Sequence, residues 1–163
     1  MLSQAILDEA ASLLALCRGR KLMLATAESC TGGLVAAALT AIAGSSDVFE
    51  RGFVTYSNAA KETLLGVPAA LIASDGAVSE KVAREMAAGA IRNSAADLAV
   101  SVTGVAGPGG GSPEKPVGLV WIGAARRAGE VRAERHFFSG DRTAVRAASV
   151  AAALALLARM AGS

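Results

Sequence analysis

Ser29 stands in the run Ala25-Thr26-Ala27-Glu28-Ser29-Cys30-Thr31-Gly32-Gly33, between an apolar stretch of strand character and one of helix character. A serine at a strand-to-helix turn combines a nucleophile with backbone N–H groups that lack partners within the helix. Those donors suit an anion or a developing oxyanion. The hydroxyl is a poor nucleophile at neutral pH unless a base takes its proton. The one histidine, His136, alternates with apolar neighbours in a strand-like segment and reads as an ordinary strand residue. Tyr56-Ser57-Asn58-Ala59-Ala60-Lys61 offers a lysine instead. Lysine serves as a base when burial or a neighbouring cation holds it neutral, and Arg51 is the like charge nearby in sequence. Together the segments point to a serine hydrolase without histidine.

Taken singly, each residue has a plainer reading. Ser29 suits a turn serine capping the helix that begins near Gly32, Lys61 a solvated helix lysine, and Tyr56 a half-buried strand aromatic. Only their placement at successive strand ends makes the joint case. The glycine-rich segment Thr103 to Ser112 follows a strand and reads either as a phosphate or ribose cradle or as a mobile loop. It lacks the Gly-Lys-Ser/Thr ending of a Walker A loop. Glu114-Lys115 either folds over the site or keeps the loop soluble. Arg142 and Arg146 offer guanidinium forks for a phosphate, or surface ion pairs.

The elements that must position these residues follow from periodicity. Ile6, Ala10, Leu13, Leu14 and Cys17 share one face of a helix ending near Gly19. A short buried strand is expected over 21–26, then a helix from about Gly32 to Ile42, apolar nearly all round. Residues 51–57 alternate as a second strand, with Phe53 and Thr55 on one face and Val54 and Tyr56 on the other. Asn58 is expected to cap the short helix that carries Lys61 and stops at Gly66 before Pro68. Ser79-Glu80 starts a longer helix with Val82, Met86 and Ala90 inside. Residues 97–103 form a third strand, 117–125 and 131–138 a hairpin, and Asp141 caps a last helix running to about Met160. This alternation predicts a single-domain three-layer α/β/α sandwich with a mixed, mostly parallel sheet and a C-terminal antiparallel hairpin. In such sheets the site lies at the carboxyl ends of the strands, which puts Ser29, the segment Tyr56 to Lys61 and the segment Thr103 to Gly111 on one rim.

At 163 residues and net charge +2, with charges of mixed sign, the chain suits one domain and offers no basic stripe for nucleic acid. Cys17 and Cys30 imply no disulfide framework, and no metal-ligand spacing is present. The start of the chain lacks the pattern of a secretory signal, and no stretch approaches the length of a membrane span, so the expectation is a cytoplasmic protein. Long apolar helices and a sheet-edge hairpin favour a homo-oligomer, a dimer first.

The ordered blocks carry a likeness as well: Thr26 to Gly33, Gly44-Ser45-Ser46, Arg51 to Lys61, Gly76 to Ser79, Gly104 to Pro108, Gly110-Gly111-Ser112, Glu114 to Gly118 and Phe138 to Arg142. In these the chain resembles the CinA C-terminal domain family almost end to end, in particular its stand-alone nicotinamide-nucleotide amidohydrolase members. The resemblance implies hydrolysis of the carboxamide of nicotinamide mononucleotide, with no cofactor and no metal. It implies Ser29 as nucleophile, Lys61 as base and Tyr56 as an aid to proton transfer or positioning. Backbone groups at Cys30, Thr31, Gly32 and Gly33 would stabilise the oxyanion. Asn58, Thr103, Gly104, Gly107 and Arg142 would bind the nucleotide. Larger relatives carry a further N-terminal domain related to molybdopterin-binding proteins, so the resemblance implies the amidohydrolase module alone. The rival expectation is a nucleotide-binding or regulatory module of the competence or damage-inducible type, without catalysis; a third is amidase action on another small amide.

Overall fold

The computed structural model describes residues 2–163. Ser3 caps helix α1 (Gln4–Gly19) by accepting the Ile6 N–H. Strand β1 (Leu24–Glu28), helix α2 (Leu34–Thr40), a 3₁₀ turn and strand β2 (Phe49–Val54) follow. Helices α3 (Asn58–Leu65), α4 (Ala69–Asp75) and α5 (Glu80–Arg92) lead to β3 (Leu98–Gly104). The hairpin β4 (Leu119–Arg126) and β5 (Val131–Phe137) precedes helix α6 (Arg142–Gly162).

The strands form one sheet in the order β2-β1-β3-β4-β5. β1 runs parallel to both β2 and β3, whereas β3–β4 and β4–β5 are antiparallel. The expected α/β/α sandwich with a mixed sheet and terminal hairpin is therefore the architecture. β1, β2, β3 and β5 share a direction and β4 opposes them.

Alternation along the strands sends different residues to the two faces. Leu24, Leu98, Val100, Val102, Val120 and Ile122 pack with α1, α2 and α6 in one core. Ala25, Ala27, Ala99 and Ala125 face the other way, toward Leu65 of α3, Ile72 of α4 and Val82, Met86 and Ala90 of α5. On this second face the helices come close. The Ser101 hydroxyl donates to the Ala83 carbonyl at 2.6 Å, and a β-carbon at Gly123 would lie 2.4 Å from the same oxygen.

Three local expectations need correction. Ser57, not Asn58, caps α3, because its hydroxyl accepts the Ala60 N–H at 3.0 Å and Asn58 is already the first helical residue. The β2 strand ends at Val54; Thr55 is buried beyond it and Tyr56 is 64% exposed. Finally, α6, with 21 residues, is long and apolar enough to cross a membrane by length and composition. Its apolarity has a local cause, since Val145, Val150, Ala153, Leu154, Leu157 and Met160 are buried in the first core. Helix α4, over 69–75, adds an element that the Pro68 break gave no pattern to anticipate.

Candidate active site

The carboxyl ends of β1 and β3 and the segments that follow them surround a cavity of about 300 Å³. Ser29, Cys30, Tyr56, Asn58, Lys61, Thr103, Gly104, Gly107 and Arg142 line it, with Ala77, Val78 and further residues of the glycine loop. Thr31, Gly32 and Gly33 are outside this lining and form the body of the turn behind Ser29.

Lys61 is 1% exposed, an unusual state for a lysine. Its Nζ lies 2.9 Å from Ser29 Oγ and donates to the Thr55 carbonyl at 2.7 Å. Burial pushes its pKa below the ordinary lysine value, with Cys30 opposing the shift. The like charge expected from Arg51 plays no part. Arg51 pairs with Glu50 and reaches the Asn93 carbonyl. A neutral Lys61 amine keeps one N–H on Thr55 and turns its lone pair to the Ser29 hydroxyl, the geometry of a general base.

Glu28 sets the direction of the turn. Its carboxylate, on a residue 1% exposed, accepts the Val35 N–H at 2.8 Å and the Ala36 N–H at 3.0 Å. An internal acid thus occupies the start of α2, so those donors are closed to a substrate anion, contrary to the simplest reading of a strand-to-helix turn. Ser29 follows with its own N–H on the Val102 carbonyl and its C=O accepting from Gly32. Among the described residues, no acceptor takes the N–H of Cys30 or Thr31. Burial pushes the Cys30 thiol up to about 11, against its own backbone N–H and the charges of Arg146 and Arg142.

The other wall is built from longer-range ties. Arg142 donates to the Gly107 carbonyl at 2.9 Å and to the Tyr56 hydroxyl oxygen at 3.0 Å, spanning the mouth between the α3 side and the glycine loop. Thr103 lines the cavity, and its hydroxyl commits its one proton to the Ala77 carbonyl at 2.8 Å. Gly104 must lack a side chain, because a β-carbon would lie 2.7 Å from Val120 and 2.9 Å from the Leu119 carbonyl. Lys115 donates to the Asp75 carbonyl, which ties the end of the glycine loop to the connection after α4 rather than over the site. Arg146, weighed above as a phosphate ligand, donates instead to the carbonyls of Cys30 and Thr31, both at 3.1 Å.

Glu28 and the Thr55 carbonyl carried no role in the sequence reading. A carboxylate directly before the turn was the available signal for the first. A backbone carbonyl has no sequence signal. His136 lies on β5, stacked on Phe138 and 3.4 Å from Glu134, and is not among the cavity residues.

Fold and cavity define an α/β/α domain in which a deeply buried lysine is held against a serine at the strand ends. The chain belongs to the CinA C-terminal domain family, whose model matches residues 7–161. It is similar to a protein of Enterobacter agglomerans named nicotinamide-nucleotide amidohydrolase PncC, 62% identical over 120 residues, covering 74% of this chain and 73% of that one. A protein of the same name from Escherichia coli K12 is 56% identical over 140 residues, 86% of this chain and 85% of that one. Among solved structures, the competence/damage inducible protein CihA from Agrobacterium tumefaciens superposes with a TM-score of 0.96 at 46% identity. That alignment covers 100% of this chain and 99% of the other.

Proposed function

We propose that this chain is an amidohydrolase that converts nicotinamide mononucleotide to nicotinate mononucleotide and ammonia through a Ser29–Lys61 pair. The observation that carries the reading is the 2.9 Å contact of a buried lysine amine with a serine at the cavity wall. The names of relatives 56–62% identical supply the substrate.

In this mechanism Lys61 Nζ takes the Ser29 hydroxyl proton as Oγ attacks the carboxamide carbon. The carbonyl oxygen becomes an oxyanion beside the free N–H groups of Cys30 and Thr31. Collapse of the adduct expels ammonia, to which Lys61 returns the proton, and leaves an ester on Ser29. Water, deprotonated by the same amine, hydrolyses that ester and restores the hydroxyl. Tyr56, fixed by Arg142, orients the nucleotide or relays a proton, while Arg142, Asn58 and the loop at Gly104 and Gly107 hold it in the cleft.

The test is ammonia release from nicotinamide mononucleotide by the wild type beside Ser29→Ala and Lys61→Ala. Loss in both variants supports the pair. Unchanged release in Ser29→Ala overturns the nucleophile, and tight nucleotide binding without ammonia from the wild type turns the reading to a binding module.

A further inference from the structure

We propose that Arg146 is a positioning residue that aims the Ser29 turn, presenting the Thr31 and Cys30 N–H groups as oxyanion donors. The inference rests on the serine-nucleophile reading above and adds to it the device that holds those donors in place.

Arg146 lies one helical turn beyond Arg142 on α6, yet serves a different surface. Arg142 reaches into the reaction cavity, whereas Arg146 lines a separate cavity with Leu2, Leu34, Thr143, Ala147 and Val150. Its Nε donates to the Cys30 carbonyl and its Nη2 to the Thr31 carbonyl, each at 3.1 Å. It forms no ion pair among the described residues, so its fork is committed to these two oxygens.

Peptide planarity turns that grip into an orientation. In a trans peptide the N–H points opposite to the C=O, so fixing the Cys30 oxygen toward Arg146 turns the Thr31 N–H the other way. The Thr31 oxygen, which also accepts the Leu34 N–H at 3.1 Å, likewise turns the Gly32 N–H back to the Ser29 carbonyl, which it meets at 3.0 Å and closes the turn. The N–H groups of Cys30 and Thr31, like that of Gly33 farther along the turn, are without acceptors among the described residues. Those of Cys30 and Thr31 stand on the residues directly after the nucleophile, where an oxyanion formed by Ser29 attack would seek donors. A guanidinium on the carbonyl side also polarises the Cys30–Thr31 and Thr31–Gly32 peptides, which strengthens the Thr31 N–H directly and the Gly32 N–H that holds the Ser29 carbonyl; through that carbonyl the Cys30 N–H of the same peptide is oriented. Lysine at this position would keep the charge but lose the planar two-donor fork.

The experiment compares wild type, Arg146→Lys and Arg146→Ala in two assays. The first follows labelling of Ser29 by a fluorophosphonate, in which Oγ bonds to phosphorus, fluoride leaves with the hydroxyl proton, and the phosphoryl oxygen takes the oxyanion position. The second measures kcat and KM for ammonia release across pH. Both variants are expected to label about 10- to 100-fold more slowly, as for a weakened oxyanion donor. In the second assay kcat falls by a similar factor, KM stays within about threefold, and the pH midpoint set by Lys61 does not move. Labelling at the wild-type rate in either variant overturns the proposal, as does a displaced pH midpoint, which would mean that Arg146 acts through its charge on the base. Melting curves identify an unfolded Ala variant, and Arg146→Lys then decides. A wild type that labels rapidly but releases no ammonia sinks the substrate reading and leaves this proposal to the labelling ratio. A wild type that is not labelled at Ser29 overturns both.

Discussion

The two faces of the sheet are made differently. Leucine, valine and isoleucine project toward α1, α2 and α6, whereas alanine, serine and glycine project toward α3, α4 and α5. Large side chains on the first face build the apolar bulk of the core. Small ones on the second let α5 settle onto the strands and leave α3 near enough for Lys61 to reach across to Ser29. One face supplies stability and the other supplies proximity. Glu28 and Ser29, adjacent in sequence, divide between them: the carboxylate goes to α2 and the hydroxyl meets α3.

If that division is right, substitutions on the two faces separate activity from stability. The largest effect is expected at the pair itself. Ser29→Ala and Lys61→Met should each lower kcat for ammonia release by about 1,000-fold or more, with the fold retained by circular dichroism. In the wild type, kcat/KM should rise with pH up to the Lys61 pKa, which burial holds below 10.5, because only the free amine accepts the Ser29 proton. That rising limb should vanish in Lys61→Met.

Next in size is the other face. Leu98→Ala removes a fully buried side chain and should cost about 2–5 kcal/mol in urea unfolding, leaving kcat of the folded enzyme nearly unchanged. A comparable loss of kcat would break the division between faces.

Gly89→Ala probes the close-packed face from a distance. Its β-carbon would sit 2.1 Å from the Leu65 carbonyl at the end of α3. The helix must move, costing about 1–3 kcal/mol, and Lys61 moves with it. Stability and kcat should therefore fall together, kcat by about 10-fold; a stability loss with full activity would show that α3 is not what positions the amine.

The smallest combined effect is expected at Glu28→Gln. Loss of the charge at the start of α2, and of the acceptor for one of the two N–H groups that the carboxylate holds, should cost about 1–3 kcal/mol by thermal melting. A few-fold fall in kcat would accompany it as the turn loosens.

Much of this was legible in the sequence because it is local. Apolar spacing marked α1 and α5, Gly66 before Pro68 marked the end of α3, and Ser79 and Asp141 marked helix starts that the structure keeps as capped. Where two polar residues competed for one cap, as Ser57 and Asn58 did, spacing alone could not choose. The backbone bend that sets which oxygen faces the Ala60 N–H is not written in residue type. Arg142 and Arg146 read alike in sequence, both cationic and near the start of one helix, yet one spans the cavity mouth and the other braces the turn.

By itself the sequence determined the order of helices and strands apart from α4, the presence of a serine and a lysine at strand ends, and the family to which the chain belongs. These follow from periodicity, turn chemistry and local motifs. Only the tertiary structure decided that Lys61 is buried and lies 2.9 Å from Ser29, that Glu28 closes the start of α2 to outside anions, and that Arg146 holds two carbonyls. Burial and hydrogen-bond partnership depend on which distant segments pack together. Ser29 and Lys61 are 32 residues apart, and the sheet's small-residue face is what brings them into contact.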